Sequence, residues 1–447
     1  MALSGIEIFK LLPKSNCKKC GHPTCLAFAM KLAQRQASLE ACPDVSEETK
    51  RILGEASAPP VRPITIGAGS RAVKMGEETV LFRHEKKFVN PSVFAVQIKD
   101  TMTHEEINKI IEEVLDSEID RIGQKLRIDA VCISNVSKDS NRFQQAVKIV
   151  LGKAPGVPLI ISTTDTAAAE AALKAATERK PLLYGANESN AEAMASLART
   201  YNVALGVTAD NLNTLTTLTE KIKGLGIQDM VIDSGARSAK EILRDNTLIR
   251  RAAIKKNFKA LGYPVITFAF RDNAKLEALI ATLGVAKYSS IIVLSSIEKW
   301  KNLALFTLRQ NIYTDPQVPM QVEQKIYRIG EPTAESPLMV TTNFSMTYFI
   351  VSGEIENSKV AARLAVMDCE GLSVLTAWAA GKFTAAKIAQ FIQESGIEDE
   401  LKNRELIIPG YVAILSGALE EKLPGWKIVV GPREANGLPA FLKTRAA

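Results

Sequence analysis

Residues 158–207 read PLIISTTDTAAAEAALKAATERKPLLYGANESNAEAMASLARTYNVALGV. Three short apolar runs, Pro158–Ser162, Pro181–Tyr184 and Val203–Val207, alternate with two stretches of helical pattern, Ala168–Arg179 and Ala191–Arg199. Short runs that are nearly all apolar fit strands buried on both faces, as in a parallel sheet flanked by helices. The alternation extends outward in both directions. Val93–Ile98 (VFAVQI), Ala130–Ser134 (AVCIS), Met230–Asp233 (MVID), Pro264–Phe268 (PVITF) and Ile291–Ser295 (IIVLS) bring the set to eight. Eight βα units within roughly 250 residues is the pattern of a closed, TIM-type (β/α)8 barrel. An open doubly wound sheet is the alternative.

Two stretches rich in Pro and small residues bracket this segment: Ala56–Pro63 (ASAPPVRP) and Gly330–Pro337 (GEPTAESP). Read as linkers, they give domains at 1–57, 64–329 and 337–447. The last repeats the alternation on a smaller scale. Strands are expected at Leu338–Thr342, Leu364–Asp368, Glu405–Ile408 and Trp426–Val430. Helices should follow at Ser345–Glu356, Ala385–Glu394, Tyr411–Leu419 and Glu434–Leu442. This predicts a small Rossmann-like parallel α/β sheet, with ligands bound beyond the carboxyl ends of its strands.

Of the 447 residues, 56 are basic and 49 acidic, a surplus of +7 that is mild for the length. The densest basic run, Arg250–Lys259 (RRAAIKKNFK), interleaves its charges with apolar residues at helical spacing, so a solvated helix face is expected rather than a nucleic-acid site. No apolar run approaches the roughly 18 residues of a membrane span. The start, MALSGIEIFKLLPKSN, lacks the layout of a signal peptide, so the expected location is cytoplasmic.

Four of the six Cys fall at Cys17-x2-Cys20-x4-Cys25-x16-Cys42, the last followed by Pro43. In a reducing compartment such clustering points to a metal site rather than to disulfides. Four thiolates suit tetrahedral zinc or a cubane iron–sulfur cluster. A single C-x2-C pair with a remote Cys-Pro favours the cluster. Leu26, Phe28, Ala29, Met30 and Leu32 could wall it off from water, and His22 reads as a loop residue, because four thiols already complete the set. Cys132 and Cys369 read as inert core thiols. All three His (His22, His84, His104) lie in the first quarter, so nothing after His104 can offer an imidazole.

Gly67-Ala68-Gly69-Ser70-Arg71-Ala72 matches a dinucleotide fingerprint, but it leads into an alternating VKMGEETVLFR and reads as hairpin context. Phe344, Met346, Tyr348 and Phe349, at a predicted helix start, are expected to pack in the core. The turns after the C-terminal strands (Thr341–Thr347, Asp368–Val374, Ile408–Gly410 and Gly431–Gly437) are rich in Gly, hydroxyls and helix starts. They suit a large amide-rimmed ligand carrying a phosphate, although any one of them could be an ordinary cap.

The cysteine motif with CGHPTCLAFAMKLA, together with VTTNFSMTYFIVSGEIE, EGLSVLTAWAAGKF, LIIPGYVAILSG and GWKIVVGPREA, resembles the large subunits of the corrinoid/iron–sulfur proteins. These are the gamma subunits of the acetyl-CoA decarbonylase/synthase system, and the resemblance runs through essentially the whole chain. It implies a methyl carrier of the reductive acetyl-CoA pathway, acting as a corrinoid-dependent methyltransferase component. Corrinoid Co(I) would take a methyl group from a methyltetrahydrofolate or related methyltetrahydropterin through a methyltransferase. Methyl-Co(III) would pass it to acetyl-CoA synthase/CO dehydrogenase. A [4Fe–4S] cluster on Cys17, Cys20, Cys25 and Cys42, fed by a reducing ferredoxin-type donor, would restore Co(II) to Co(I). Matching motifs imply Thr342, Thr347, Gly371, Leu372, Ser373, Val374 and Ala435 as contacts of the cobamide, and a small partner subunit completing a heterodimer. No nucleic acid, membrane or catalytic side chain is expected. The Ala56–Pro63 linker would be the hinge on which the cluster domain moves. A carrier of electrons alone, without its own corrinoid, is the competing reading.

For the barrel, Asp165, Asn187, Thr208, Asp233 and Ser234 lie at or just past strand carboxyl ends, where barrel sites form. They show no paired carboxylates and no nucleophile–base set, so a docking or scaffold role is expected. A barrel that binds the methylpterin itself is the alternative. The His-free C-terminus carries a prediction of its own: cobalt there has no protein imidazole below it. An electron paramagnetic resonance spectrum of the Co(II) form should lack superhyperfine splitting from an axial protein nitrogen, and such splitting would overturn the assignment.

Overall fold

The structure, a computed structural model, describes residues 5–33, 37, 39–46, 49 and 59–446. It divides into two compact units. Residues up to Glu118 with Arg127–Tyr313 form one; Ile119–Leu126 with Thr314–Ala447 form the other.

In the first unit, eight strands pair in parallel: Val93–Lys99, Ala130–Ser134, Leu159–Ser162, Leu182–Ala186, Ala204–Thr208, Met230–Asp233, Val265–Phe268 and Ser289–Leu294. The last pairs with the first, Ile291 opposite Val93, so the sheet closes and the open-sheet alternative falls. Alternate side chains point inward. Val93, Ala95, Ala130, Cys132, Ile160, Leu182, Val231, Ile266 and Val293 fill the interior as one apolar core. Burial pushes the Cys132 thiol up to about 12, as expected of an inert core residue. The glycine-rich Gly67–Ala72 loop joins two short antiparallel strands, Ile64–Ile66 and Val73–Met75. Ile64, Ile66 and Met75 join the same core, and Gly67 N–H donates to Lys180 O just before a barrel strand begins. The loop therefore closes the amino-terminal end of the barrel, between the two strands of a hairpin as its sequence context suggested.

Barrel helices bury one face each. His104–Leu115 turns Ile107, Ile111 and Val114 inward at helical spacing, and a Thr103–Glu106 capping box satisfies its start. At about 1.5–3 kcal/mol per buried aliphatic side chain, the face outweighs the cap. Of the linker expected at Ala56–Pro63, residues 56–58 lie outside the described residues. From Val61 onward the chain is tied down: Arg62 N–H donates to Gly262 O, Val61 O accepts from Glu77 N–H, and Arg62 pairs with Asp229 at 2.8 Å. The Val61–Pro63 end of the expected linker is therefore fixed to the barrel.

Within the basic run Arg250–Lys259, Arg251, Lys255 and Lys256 are exposed as expected of a solvated face, but one residue departs from it. Arg250 is buried, paired with Glu78 at 2.9 Å and stacked on Phe88 and Tyr288. Charge spacing along one helix could not reveal an acid 172 positions away in sequence. Lys301 is wholly buried too. Its Nζ lies 2.5 Å from Glu277 and donates to Ser296, while Glu277 accepts from Ser295 N–H.

The second unit holds a five-stranded sheet in the order Lys325–Ile329, Ala362–Met367, Leu338–Thr342, Glu405–Ile408, Lys427–Val430. Four strands are parallel, as expected. The first runs antiparallel on the edge, so the sheet is mixed rather than purely parallel. KIYRI escaped the sequence reading because an edge strand is half exposed and has no continuous apolar run. Gly330–Pro337 accordingly forms a loop inside this unit, not its border. A hairpin, Ile119–Arg121 paired with Gln124–Leu126, also belongs here. Ile122 at its tip packs among Val322, Ile329 and Met339, at a left-handed φ of +56°. Arg121 stacks 5.6 Å from the Phe349 ring.

Removing one partner of a buried ion pair strands the other. Lys301→Met should cost about 3–5 kcal/mol in denaturant unfolding. The Glu277→Leu/Lys301→Met double variant should lose less. A double variant weaker than the single one would refute the pairing as the source of the loss.

Candidate functional site

Two sites take shape. The first is the cysteine region. Helices Gly5–Leu11 and Cys25–Ala33 cross so closely that a Cβ at Gly5 would stand 2.2 Å from Met30 Sδ. Between them lies a small core of Ile8, Leu12, Phe28, Ala29 and Val45, into which Cys25 and Cys42 are buried and against which Cys20 packs. The expected wall is half right. Phe28 and Ala29 are buried and Leu32 packs against them, but Leu26 and Met30 face solvent, because the buried stripe of a nine-residue helix holds only part of an apolar run.

Polar groups then converge on the thiols. Asn16 N–H donates to Cys25 Sγ at 3.3 Å, and Asn16 Oδ1 accepts from Cys25 N–H at 2.8 Å. Cys17 lies 3.4 Å from Asp44, which pairs with Lys19. The Lys19 ammonium, then the Cys17 thiol, hold the Asp44 carboxyl below its ordinary range. Burial, and then the neighbouring Cys20 and Cys17, raise the Cys42 thiol. Among the described residues no three Cys, His, Asp or Glu side chains gather around one ion. The N–H···S bond and the apolar core around Cys25 and Cys42 suit an iron–sulfur cluster. His22 leans on the Phe28 ring at 5.4 Å, in line with a loop role.

The second site lies at the carboxyl ends of the C-terminal parallel strands. A cavity of about 330 Å³ opens there between the turns after Leu338–Thr342, Ala362–Met367, Glu405–Ile408 and Lys427–Val430. Of the residues singled out in the sequence, Thr347, Ser373, Val374 and Ala435 line it. Thr342 lies beneath, fully buried. Gly371 and Leu372 form the turn that leads into it, with Leu372 packed on the sheet core. Gly371 holds φ at +71°, and a Cβ there would meet Gln321 at 2.8 Å and Pro319 at 2.9 Å. Its N–H and that of Cys369 both donate to Asn343 Oδ1, fixing the turn. Cys369 is buried as expected, its thiol pushed up to about 12 by burial.

Other lining residues were not anticipated: Tyr411, Arg433, Glu434, Ile350 and Leu375. Tyr411 OH donates to Glu434, which raises the phenol. Tyr411, Arg433 and Glu434 stand inside the quoted IPGYVAILSG and GPREA stretches, so position was the available signal. The aromatic and sulfur cluster also departs from expectation. Tyr348 packs on the core and Phe344 is half-buried, but Met346 and Phe349 are exposed on the helix Ser345–Ser358, beside an exposed Ile350, because helical spacing cannot say whether an apolar face meets the protein or something outside it.

The polar groups at this edge are under-used. Thr341 Oγ1 and Thr342 Oγ1 are buried without any hydrogen-bond partner. The helical turns that start at Phe344, Ser373, Pro409 and Glu434 have no side-chain cap. In the barrel, Thr103, Asp139, Asp165, Asn211, Ser238 and Asn273 all cap their helices. The expectation of ordinary caps thus fails at the C-terminal cavity, whereas in the barrel most helices are capped, Asn190 at the start of Ala191–Thr200 being an exception. A group lined with amides or a phosphate would supply the missing partners.

Asp165, one of the barrel candidates, is occupied as a cap, and Asn187 accepts from Ser189 within a turn. Thr208 and Asp233 do come together: Thr208 Oγ1 lies 3.4 Å from the Asp233 carboxylate. Ser234 is buried beside Asp233. Among the described residues no helix is long and apolar enough to cross a membrane.

Compared with known families, residues 63–442 match the CO dehydrogenase/acetyl-CoA synthase delta subunit model and residues 12–43 match an Fe–S cluster model. The corrinoid/iron–sulfur protein large subunit of Moorella thermoacetica is 45% identical over the full length of both chains. The acetyl-CoA decarbonylase/synthase complex subunit gamma of Methanopyrus kandleri is 36% identical, covering 99% of this chain and 97% of its own. That of Methanothermobacter thermautotrophicus is 33% identical over the full length of both. The barrel-spanning model carries the delta subunit's name, whereas these relatives, which share the cysteine region as well, are large or gamma subunits.

Cys42→Ala should lower iron per chain and abolish the broad visible absorption of a cluster while leaving far-UV circular dichroism unchanged. Full iron retention in that variant would remove Cys42 from the ligand set.

Proposed function

The chain belongs to the family of corrinoid/iron–sulfur protein large subunits, the acetyl-CoA decarbonylase/synthase gamma subunits, and from that premise we propose that it is a methyl carrier of the acetyl-CoA pathway. Bound corrinoid supplies a cobalt centre that takes and releases a methyl group, and the [4Fe–4S] cluster supplies the electron that restores that centre after oxidation. The rest of the work belongs to the protein.

The observation that carries the reading is the under-used polar edge of the C-terminal sheet. Buried hydroxyls without partners cost stability unless something else satisfies them. Thr341, Thr342 and Thr347 offer hydroxyls to the amide rim of a cobamide, and the uncapped turns at Ser373 and Glu434 offer N–H groups. Gly371 keeps the turn's backbone free of side chain, so that a large flat ligand can lie against it. Leu372, Val374 and Ala435 add apolar contact. The exposed Met346, Phe349, Ile350 and Leu375 extend an apolar rim that a bound cofactor or a partner subunit would cover.

Cys17, Cys20, Cys25 and Cys42 hold the cluster in this reading. The Asn16 N–H on Cys25 Sγ stabilises the more negative, reduced state, because hydrogen bonds to cluster sulfur favour added charge. No side chain is assigned as catalytic. The chain acts as the methyl-carrying component of a corrinoid-dependent methyl transfer, in the cytoplasm. Its partners are a small subunit, a methyltetrahydropterin methyltransferase, acetyl-CoA synthase/CO dehydrogenase and a reducing ferredoxin-type donor. The barrel serves them as a docking scaffold.

Anaerobic purification should give sharp visible bands that shift on reduction, above a broad shoulder, with about four irons per cobalt. Iron without cobalt would sink the carrier reading and leave an electron-transfer subunit. Gly371→Val, with its φ of +71° and its crowded Cβ, should lose cobalt while keeping its iron.

A further inference from the structure

Docking alone does not account for the carboxyl end of the barrel. Inward positions along the strands are apolar up to the last layer, and there they turn polar together. Ala95 is followed inward by Gln97, Cys132 by Ser134, Ile160 by Ser162, Leu182 by Tyr184, and Val231 by Asp233; Thr208 completes the ring. Gln97 Nε2 donates to Ser134 Oγ at 2.9 Å. Tyr184 OH donates to Asp233 at 2.5 Å, and Arg237 grips the same carboxylate with two nitrogens at 3.0 and 2.8 Å. Asp233 is only 2% exposed. Arg237 Cζ also lies over the Phe268 ring, 5.2 Å from its centroid, and the Phe270 ring centroid stands 5.5 Å from that of Phe268.

Of these, Gln97, Ser134, Ser162, Tyr184, Arg237, Phe268 and Phe270 line an open cavity of about 320 Å³, with Asp233 behind Tyr184 and Arg237. The space is built at some cost to the backbone. Gly185 sits at a φ of +126°, where a Cβ would strike Thr163 O at 2.1 Å, and a Cβ at Gly206 would strike the Tyr184 ring at 2.7 Å. Asn135, at the rim, donates to Thr163 Oγ1 while its Oδ1 stays buried without a partner. A polar layer with an unsatisfied amide, at the end where barrels of this type bind ligands, points to a molecule that completes it.

We propose that this barrel mouth binds a neutral, planar heterocycle bearing amino and carbonyl groups, such as a pterin or a purine base. Charge selects the class. Arg237 is the one charged residue among the described residues that line the cavity, and it is already paired with Asp233; no lining carboxylate is free for a metal ion, and the Arg271 guanidinium nearby is turned onto the carbonyl oxygens of Phe270 and Arg237. Recognition falls to the amides of Gln97 and Asn135, which line the cavity; the Asn135 carbonyl oxygen is buried without a partner, and a small rotation of the amide would bring it to a ring N–H group. The Arg237–Phe268–Phe270 wall supplies the stacking face. The site does not rest on the methyl-carrier reading.

Isothermal titration of the full-length, anaerobically purified protein tests it with three probes: 6-methyltetrahydropterin, guanosine and inorganic phosphate. One or both heterocycles should bind, which identifies the source, and phosphate should not. Gln97→Leu and Asn135→Ala should each weaken that binding about tenfold or more, as expected when a site loses hydrogen bonds that select its ligand. Unchanged iron and cobalt content in both variants would show that the fold and the other two sites are intact. Failure of both heterocycles at millimolar concentration, competition by phosphate, or binding that survives both substitutions would overturn the proposal. None of these results bears on whether cobalt is present.

Discussion

Parallel pairing governs this chain. A parallel strand cannot turn back on itself, so each one must hand over to a helix that carries the chain to the next start. Strand ends and helix starts therefore collect on one edge of each sheet. In the barrel that edge is the polar ring of Gln97, Ser134, Ser162, Tyr184, Thr208 and Asp233. In the second unit it is the cavity between the turns that follow Thr342, Met367, Ile408 and Val430. The opposite barrel end is closed by Ile64, Ile66 and Met75.

The two edges differ in how they treat helix starts. Six barrel helices are capped by their own Ser, Thr, Asp or Asn side chains, so their first N–H groups are satisfied within the protein. Around the C-terminal cavity four helical turns start without such a cap, and two threonine hydroxyls beneath them are buried and unpaired. A fold that buries unpaired hydroxyls beneath a cavity loses stability unless a ligand restores it. That contrast within one chain is a stronger argument for a bound cofactor than any single motif.

Much of the architecture was legible because burial on both faces writes itself into composition. MVID and AVCIS became strands with the boundaries read from their apolar runs, and the eight-strand count held. Elements exposed on one side left weaker marks. KIYRI, on a sheet edge, showed no apolar run, and the purely parallel reading of the second unit failed with it. The Ile119–Leu126 hairpin hid for a second reason: its tip carries Ile122 in a left-handed conformation where Asn or Gly would normally signal the turn. Arg250 looked like part of a solvated face, yet it is enclosed by Glu78, Phe88 and Tyr288, all distant in sequence.

By itself the sequence determined the number of barrel strands, the crowding of thiols at Cys17, Cys20, Cys25 and Cys42, and the absence of any imidazole after His104. Each is a property of composition or local spacing, which no folding can alter. Which polar groups would be satisfied, and which would wait for a ligand, was decided by tertiary structure alone. Asp165 and Asp233 both follow barrel strands, but one caps its own helix and the other joins Tyr184 and Arg237 across the barrel mouth. A hydrogen bond between residues far apart in sequence exists only after the sheet has closed, so its presence, or its absence at Thr341, Thr342 and Asn135, is written in three dimensions and nowhere earlier.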